Sequence, residues 1–488
     1  MISRRLTLGT DGLTRQRAVG LAGSLLLATG GLLAGAYPQH PKDFSVSQVL
    51  ELTQLATICA YGGLVLLVVA WMHLGRLVRG TSPAAARPTR RELLLTAAGW
   101  AAPLMLAPPL FSRDVYSYAA QGAMVLHGLD PYAYGPEALD SGLRDDVDRL
   151  WTATPAPYGP VFLTLAARTV WLTGERTAPA VFGLRVLALM GVLLIVHFLP
   201  RLANHLGVDP NAALWLGVLN PLVLVHLVAG AHNDALLIGL MVAGLTLVLD
   251  GLPALGVILC ALALLVKAPA GLALAFCVPL WGQQLTGRLR LTRAALLTSA
   301  TAAGTIAVTS AACGLGYGWL GALQTPGQVR NWLSVTTTMG QLTGLVGGWF
   351  GAGDHLDGAI AAWRGAGGLV AVAVCAVLLL RSRQIGPVAA LGTALIAVVA
   401  LGPVVQPWYL LWGFVLLAAA SRDENVRSLV AGASAAMAMV LMPRGGALAA
   451  RDIVEAILVG GVVAGVAVLV ERSVAKRPRA TVPTATRA

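Results

Sequence analysis

Apolar runs of membrane-spanning length recur along the 488-residue chain, separated by short basic connections and by two long polar stretches. A helix needs about 20 predominantly apolar residues to cross the hydrocarbon core. The first runs lie at 18–36, 53–74 and 93–110. A middle set follows at 179–199, 211–228, 235–249, 252–266, 270–284 and 294–313, and a last set at 361–380, 385–402, 408–420, 426–442 and 453–470. The segment at 161–174 is apolar but short and carries Arg168, so it reads as a re-entrant or interfacial helix. The pattern predicts an all-α polytopic membrane protein of about fourteen transmembrane helices, with residues 1–475 forming one integral membrane domain.

Charge orients these elements. Arg76, Arg79, Arg87, Arg90 and Arg91 crowd the connection between the second and third runs, and Arg288, Arg290 and Arg293 mark a later one, as do Arg381 and Arg383. Basic short loops face the cytoplasm. Both termini then fall inside, and the basic, polar tail 476–488 reads as disordered there. The polar stretches 112–160 and 314–360 fall outside. The first run follows Arg4, Arg5, Arg15 and Arg17 in the manner of a signal peptide, but no clear small-residue cleavage site ends it, so it is expected to be retained as a helix.

Composition narrows the class. Only 11% of residues are charged and 57% are hydrophobic, with a mean hydropathy of +0.75, whereas soluble domains average roughly 25% charged. The net charge of +12 is spread over short loops, which argues against nucleic acid as a partner. Cys59, Cys260, Cys277, Cys313 and Cys375 all sit in apolar runs without paired spacing, so neither a disulfide framework nor a metal site is expected.

Candidate chemistry concentrates in the first outward stretch, with FSRDVYSYAAQG at its start, HGLDPYAYGP in its middle and WTATPAPYGP at its end. Carboxylates take protons from hydroxyls, and aromatic faces pack on sugar C–H groups. Asp114 is the candidate general base, with a helix cap as the alternative role. Tyr118 and Gln121 share its helical face, while Arg113, Tyr116 and Tyr158 are further candidate contacts. Asp130, before Pro131, is a second base or a turn residue. Ionisable groups at span edges add three clusters, all outward. His232-Asn233-Asp234 offers sugar binding or helix capping, and Lys267 offers a phosphate counter-ion or a snorkelling lysine. Gln406, Trp408 and Tyr409 offer a sugar or polyprenyl contact or an aromatic belt, as do Arg330, Asn331 and Trp332.

Taken together, RDVYSYAAQG, GLDPYAYGP, TPAPYGP, GAHNDAL, VKAPAG and VQPWYLLW resemble the MptA/MptB group of GT-C glycosyltransferases, over residues 90–420. The resemblance implies transfer of mannose from polyprenyl-phosphate mannose to an α-(1→6)-mannan acceptor on a lipid anchor, of the kind found in lipomannan and lipoarabinomannan. It implies inversion, no metal or other cofactor, Asp114 as the base, and Lys267 with Arg330 beside the departing phosphate. The first two spans would be additions ahead of the shared core. A GT-C enzyme with another polyprenyl-phosphate sugar, such as an arabinofuranosyl donor, fits the same loop. The rival from another class is a lipid-linked sugar flippase, which would place its charges near the midplane in two related halves.

Overall fold

The computed structural model describes residues 2–38, 50–81, 86–349 and 355–446. The expected span at 453–470 and the tail at 476–488 lie outside the described residues, as do residues 350–354 of the second polar stretch. The described architecture is all helical. Among the described residues, five helices are long and apolar enough to cross a membrane, or up to six if one sharply bent pair is a single span, as suits a polytopic membrane protein.

The first three helices are α1 (Ile2–Ala34), α2 (Leu50–Val78) and α3 (Arg90–Leu106). A capping box fixes the start of α3: Thr89 Oγ1 accepts the Glu92 N–H and Glu92 Oε2 accepts that of Thr89. Its end is set by Pro108 and Pro109, which cannot extend a helix. The chain turns at Phe111, held at a φ of 63° with its N–H donated to Pro443 O at 2.9 Å, and enters α4 (Asp114–Leu126). The rest of the first polar stretch holds the short α5 (Gly142–Asp145) and leads into α6 (Pro160–Leu172), the 13-residue segment expected to be too short to cross.

Two longer elements follow, α7 (Thr177–His205) and α8 (Pro210–Gly217). The run at 211–228 is expected to be one span kinked at Asn220-Pro221, and the structure breaks it there. α8 stops after two turns, Asn220 Oδ1 accepts the Leu222 N–H across the Asn220-Pro221 break, and a π-helical turn covers Val223–Ala229. That turn is bent by 111° from α9 (Asp234–Leu249). Proline removes a donor, and the freed groups are recovered by side chains: Asn220 Nδ2 donates to Leu216 O and to Ser434 Oγ.

The remaining helices are α10 (Pro253–Leu264), α11 (Leu272–Gly282), α12 (Arg290–Cys313), α13 (Val335–Trp349), α14 (Leu356–Leu380), α15 (Ser382–Ile385), α16 (Pro387–Leu401), α17 (Leu411–Ala420) and α18 (Glu424–Ala438). The second polar stretch is therefore not all loop. It contains α13, which packs along α14, and α14 begins five residues before the expected 361.

Packing depends on close backbone approach, as it does wherever lipid removes the hydrophobic drive between helices. α7 crosses α9 at Gly191, where an added Cβ would sit 2.3 Å from the Ala235 carbonyl carbon, next to Asp234. α2 and α8 are joined by stacked Trp71 and Trp215, whose indole N–H groups each donate to the other's backbone carbonyl at 2.9 and 2.8 Å. Buried Arg185 of α7 donates to Met105 O and Ala107 O at the end of α3 and to Ala229 O. One guanidinium thus ties together the two irregular segments that precede Asp114 and His232.

Gly159 meets the α10 end equally closely: its N–H donates to Val266 O at 3.1 Å, and an added Cβ would lie 2.1 Å from Leu265 O. Gly159→Ala is expected to cost about 1–3 kcal/mol through forced backbone separation. Gly304→Ala, where nothing lies within 4 Å, is expected to leave stability unchanged or slightly raised. Thermal unfolding of the two purified variants checks this, and equal melting points would contradict it.

Candidate active site

The inner edges of the first polar stretch, the α10–α11 link and the turn before α17 surround a cavity of about 420 Å³. Its polar lining comes from Asp114, Ser117 and Gln121 on α4, from Tyr158 and Lys267, and from Gln406 and Tyr409. Apolar walls are supplied by Pro157, Pro269, Leu323, Val329 and Val404 among others, and Trp151 and Trp412 add two indoles.

Asp114 occupies the first helical position of α4, but it does not cap the helix with its side chain. Ser112 Oγ accepts the Asp114 N–H at 3.1 Å, leaving the carboxylate to the cavity, where it is about one-fifth exposed. Poor hydration pushes its carboxyl up to about 6; the Lys267 ammonium pulls the other way, while the like charge of Asp234 adds to the rise. A carboxylate of that basicity ionises close to neutral pH and accepts a proton more readily than an ordinary aspartate.

Lys267 lines the same cavity, in extended backbone between α10 and a 3₁₀ turn at Ala268–Gly271. Its Nζ lies 3.0 Å from both oxygens of Asp234, which has no exposure at all. Trp412 Nε1 donates to the same Asp234 Oδ1 at 2.6 Å. The ammonium also sits 4.4 Å from the Tyr409 ring centre, 5.5 Å from that of Trp412 and 5.7 Å from that of Tyr158, so three aromatic faces stabilise the charge. An ammonium has three N–H donors, so at least one remains for a ligand after the pair with Asp234 is made.

His232 lies behind this wall. Ala231, at a φ of 54°, turns the chain so that the imidazole is fully buried, stacked on Trp408 at 3.9 Å between ring centres. Its Nδ1 is 3.3 Å from the Tyr118 hydroxyl and 3.7 Å from Asp114 Oδ2. Tyr118 packs edge-on against Tyr158 and Phe162. His232 and Tyr118 therefore brace the carboxylate from behind. Buried Asn233 sits between His232 and Asp234, and its amide atoms have no hydrogen-bond partner among the described residues.

The structure thus brings together Asp114, Gln121, Tyr158, Lys267, Gln406 and Tyr409 at the cavity, and Tyr118, His232, Asn233, Asp234 and Trp408 behind it. It places the other candidates elsewhere. Arg113 turns to Asp148 at 3.4 Å and to Tyr37 O, and Tyr116 donates to Ala36 O. Asp130 Oδ1 accepts the Tyr132 N–H in a turn. Arg330 pairs with Asp357 at 2.5 Å, Asn331 Oδ1 accepts the Leu333 N–H, and Trp332 is half exposed; none of the three lines the cavity.

Sequence reasoning did not select Ser117 or Thr325 as contacts, whereas Trp151 of the first polar stretch and Trp412, one turn beyond Trp408, stand among the aromatics the sequence marks. Arg185 was also missed, although an arginine inside an apolar span is itself a signal.

Comparison with known proteins agrees over nearly the whole chain. Residues 17–283 match the family model described as alpha-(1->6)-mannopyranosyltransferase, N-terminal domain, and residues 336–470 match the MptB C-terminal domain. The first match starts at residue 17, so the first two helices belong to the family's domain and are not additions ahead of it. A probable alpha-(1->6)-mannopyranosyltransferase of Mycolicibacterium smegmatis is 39% identical, covering 88% of this chain and 82% of its own. Alpha-(1->6)-mannopyranosyltransferase A of Mycobacterium tuberculosis is 37% identical over 88% and 84%, and alpha-(1->6)-mannopyranosyltransferase B of Corynebacterium glutamicum 32% over 88% and 77%. No solved structure matches. The chain belongs to the MptA/MptB family.

Proposed function

We propose that the protein is a GT-C mannosyltransferase of the plasma membrane. In this reading it moves mannose from polyprenyl-phosphate mannose to an α-(1→6)-mannan acceptor of lipomannan or lipoarabinomannan type at the outer face, with both termini cytoplasmic. The observation that carries the chemistry is one cavity holding a carboxylate of raised basicity, Asp114, and a cation braced by aromatics, Lys267. The relatives' names support mannose and the α-(1→6) linkage.

The step follows from these positions. Asp114 removes the proton of the acceptor hydroxyl as that oxygen bonds the anomeric carbon. The bond from that carbon to the phosphate oxygen breaks, and the electron pair leaves with polyprenyl phosphate. Lys267 offers its remaining N–H to the developing phosphate charge. Attack from the face opposite the phosphate inverts the anomeric centre, and a monophosphate donor needs no metal to bridge two phosphates. Tyr158, Tyr409 and the indoles of Trp151 and Trp412 offer faces for sugar C–H groups, and Gln121 and Gln406 offer amides for hydroxyls. The apolar walls suit the first isoprene units of a lipid.

Three outcomes follow. Asp114→Asn is expected to lower transfer from synthetic polyprenyl-phosphate mannose to a short α-(1→6)-mannoside on the order of 100-fold or more with donor binding retained, whereas Asp130→Asn stays within a few-fold of wild type. Wild-type transfer with an unaffected Asp114→Asn would sink the assignment.

Because the base acts ionised, the transfer rate is expected to rise with pH through about 6. Stability moves the other way. A carboxyl whose folded value is raised binds its proton more tightly when folded, so that contribution is fully present below the ordinary value and is lost as pH rises through the raised one. Asp114→Asn removes the penalty and should melt at or above the wild-type temperature at pH 7.5, and a rate flat between pH 5 and 7 would argue against the base.

Asp234→Asn leaves a buried ammonium without its carboxylate and is expected to lose on the order of 3–5 kcal/mol. Asp234→Asn combined with Lys267→Met removes both charges, and should recover much of the fold while leaving transfer at background. Melting points and transfer rates of the wild type and the two variants decide this, and recovery of transfer in the double variant would exclude Lys267 from the reaction.

A further inference from the structure

A second cavity, of about 350 Å³, lies at the other end of the bundle. α17 connects the two places. Near its start Trp412 lines the Asp114 cavity, and just past its end Ser421 lines this one, about 15 Å away along ten residues of helix. The arginine-rich connection between α2 and α3, which the charge pattern assigns to the cytoplasm, contributes Arg79 and Arg87. Arg422 and Arg427 come from the other wall.

Against these four guanidinium groups the lining holds two carboxylates, Asp209 and Glu424. Both are engaged. Asp209 Oδ1 accepts the Asn211 N–H at 2.9 Å, and Glu424 Oε2 sits 3.5 Å from Arg79 Nη1. Arg422 donates Nε and Nη2 to Leu206 O, which fixes the plane of its fork. Arg427 is only 5% exposed; its Nη1 donates to Ser421 O at 3.3 Å, and its Nη2 has no hydrogen-bond partner among the described residues. An unsatisfied N–H on a buried cation is costly, so the cluster has an excess of donors over acceptors.

We infer that this cavity binds a phosphate group. Arginine forks match phosphate oxygens in pairs, and the volume falls within the range of small-ligand pockets. Basic pockets between spans at the cytoplasmic end take the headgroups of anionic lipids, and a free phosphate presents the same oxygens. The site is separate from the transfer cavity and does not rest on the reading of that cavity as a transferase.

The test is thermal unfolding of the full chain in neutral detergent, titrated with inorganic phosphate, with phosphatidylglycerol micelles or with phosphatidylcholine micelles. Phosphatidylglycerol is expected to raise the melting point where phosphatidylcholine does not. Arg427→Gln and Arg87→Gln are each expected to shift half-saturation about tenfold upwards. Arg87 is exposed, so its variant keeps the test decisive if Arg427→Gln fails to fold. Stabilisation by phosphatidylglycerol alone assigns a lipid headgroup, and stabilisation by inorganic phosphate assigns a free anion. Stabilisation by neither, or stabilisation that both variants retain, overturns the inference.

Discussion

Asp234 is a carboxylate with no exposure inside an apolar bundle, and the cavity is shaped by how that charge is compensated. Removing a carboxylate from water costs several kcal/mol unless close partners replace the lost hydration. Lys267 and Trp412 supply them from two other elements, so α9, the α10–α11 link and α17 meet at one carboxylate. Lys267 cannot leave without exposing Asp234 to an apolar surrounding, and its own aromatic neighbours Tyr158 and Tyr409 are placed by that constraint. Asp114 lines the same cavity as Lys267, Tyr158, Tyr409 and Trp412.

Two helix breaks make room for this arrangement. α3 ends at a pair of prolines, and the span begun by α8 breaks at Asn220-Pro221; each break frees backbone carbonyls that need donors from outside the helix. Arg185 bonds carbonyls at the end of α3 and at Ala229, the end of the π-helical turn, and so ties the approach to Asp114 to the approach to His232. The left-handed residues Phe111 and Ala231 fall within these same approaches. Strain of this kind persists only where the surroundings over-determine it.

The hydropathy pattern located most helices because lipid forces each span to satisfy its own backbone, and that requirement writes a long apolar run into the sequence. The Asn220-Pro221 pair marked the kink in 211–228, though not the π-helical turn and the 111° bend beyond it, and the pattern left 335–349 uncounted as a span because VTTTMGQLTGLVGGW is only weakly apolar and rich in glycine. At the site, Asp114, Tyr118 and Gln121 were legible as one helical face, since spacing within a helix is local information. Lys267 and Asp234 were each visible as a charge at a span edge, but their pairing was not, because 33 residues and two elements separate them. Trp412 and Arg185 act through contacts of 178 and 80 residues in sequence separation, which no periodicity records.

The central claim is that one cavity holds the lipid phosphate beside Lys267 and the anomeric carbon towards Asp114. An experimental structure of the protein with a non-transferable polyprenyl-phosphonate mannose tests it most directly. The account predicts phosphonate oxygens within hydrogen-bond reach of Lys267 Nζ and the mannose between that ammonium and the Asp114 carboxylate. A donor bound with its phosphonate away from Lys267, or with its sugar outside the Asp114 cavity, would contradict it.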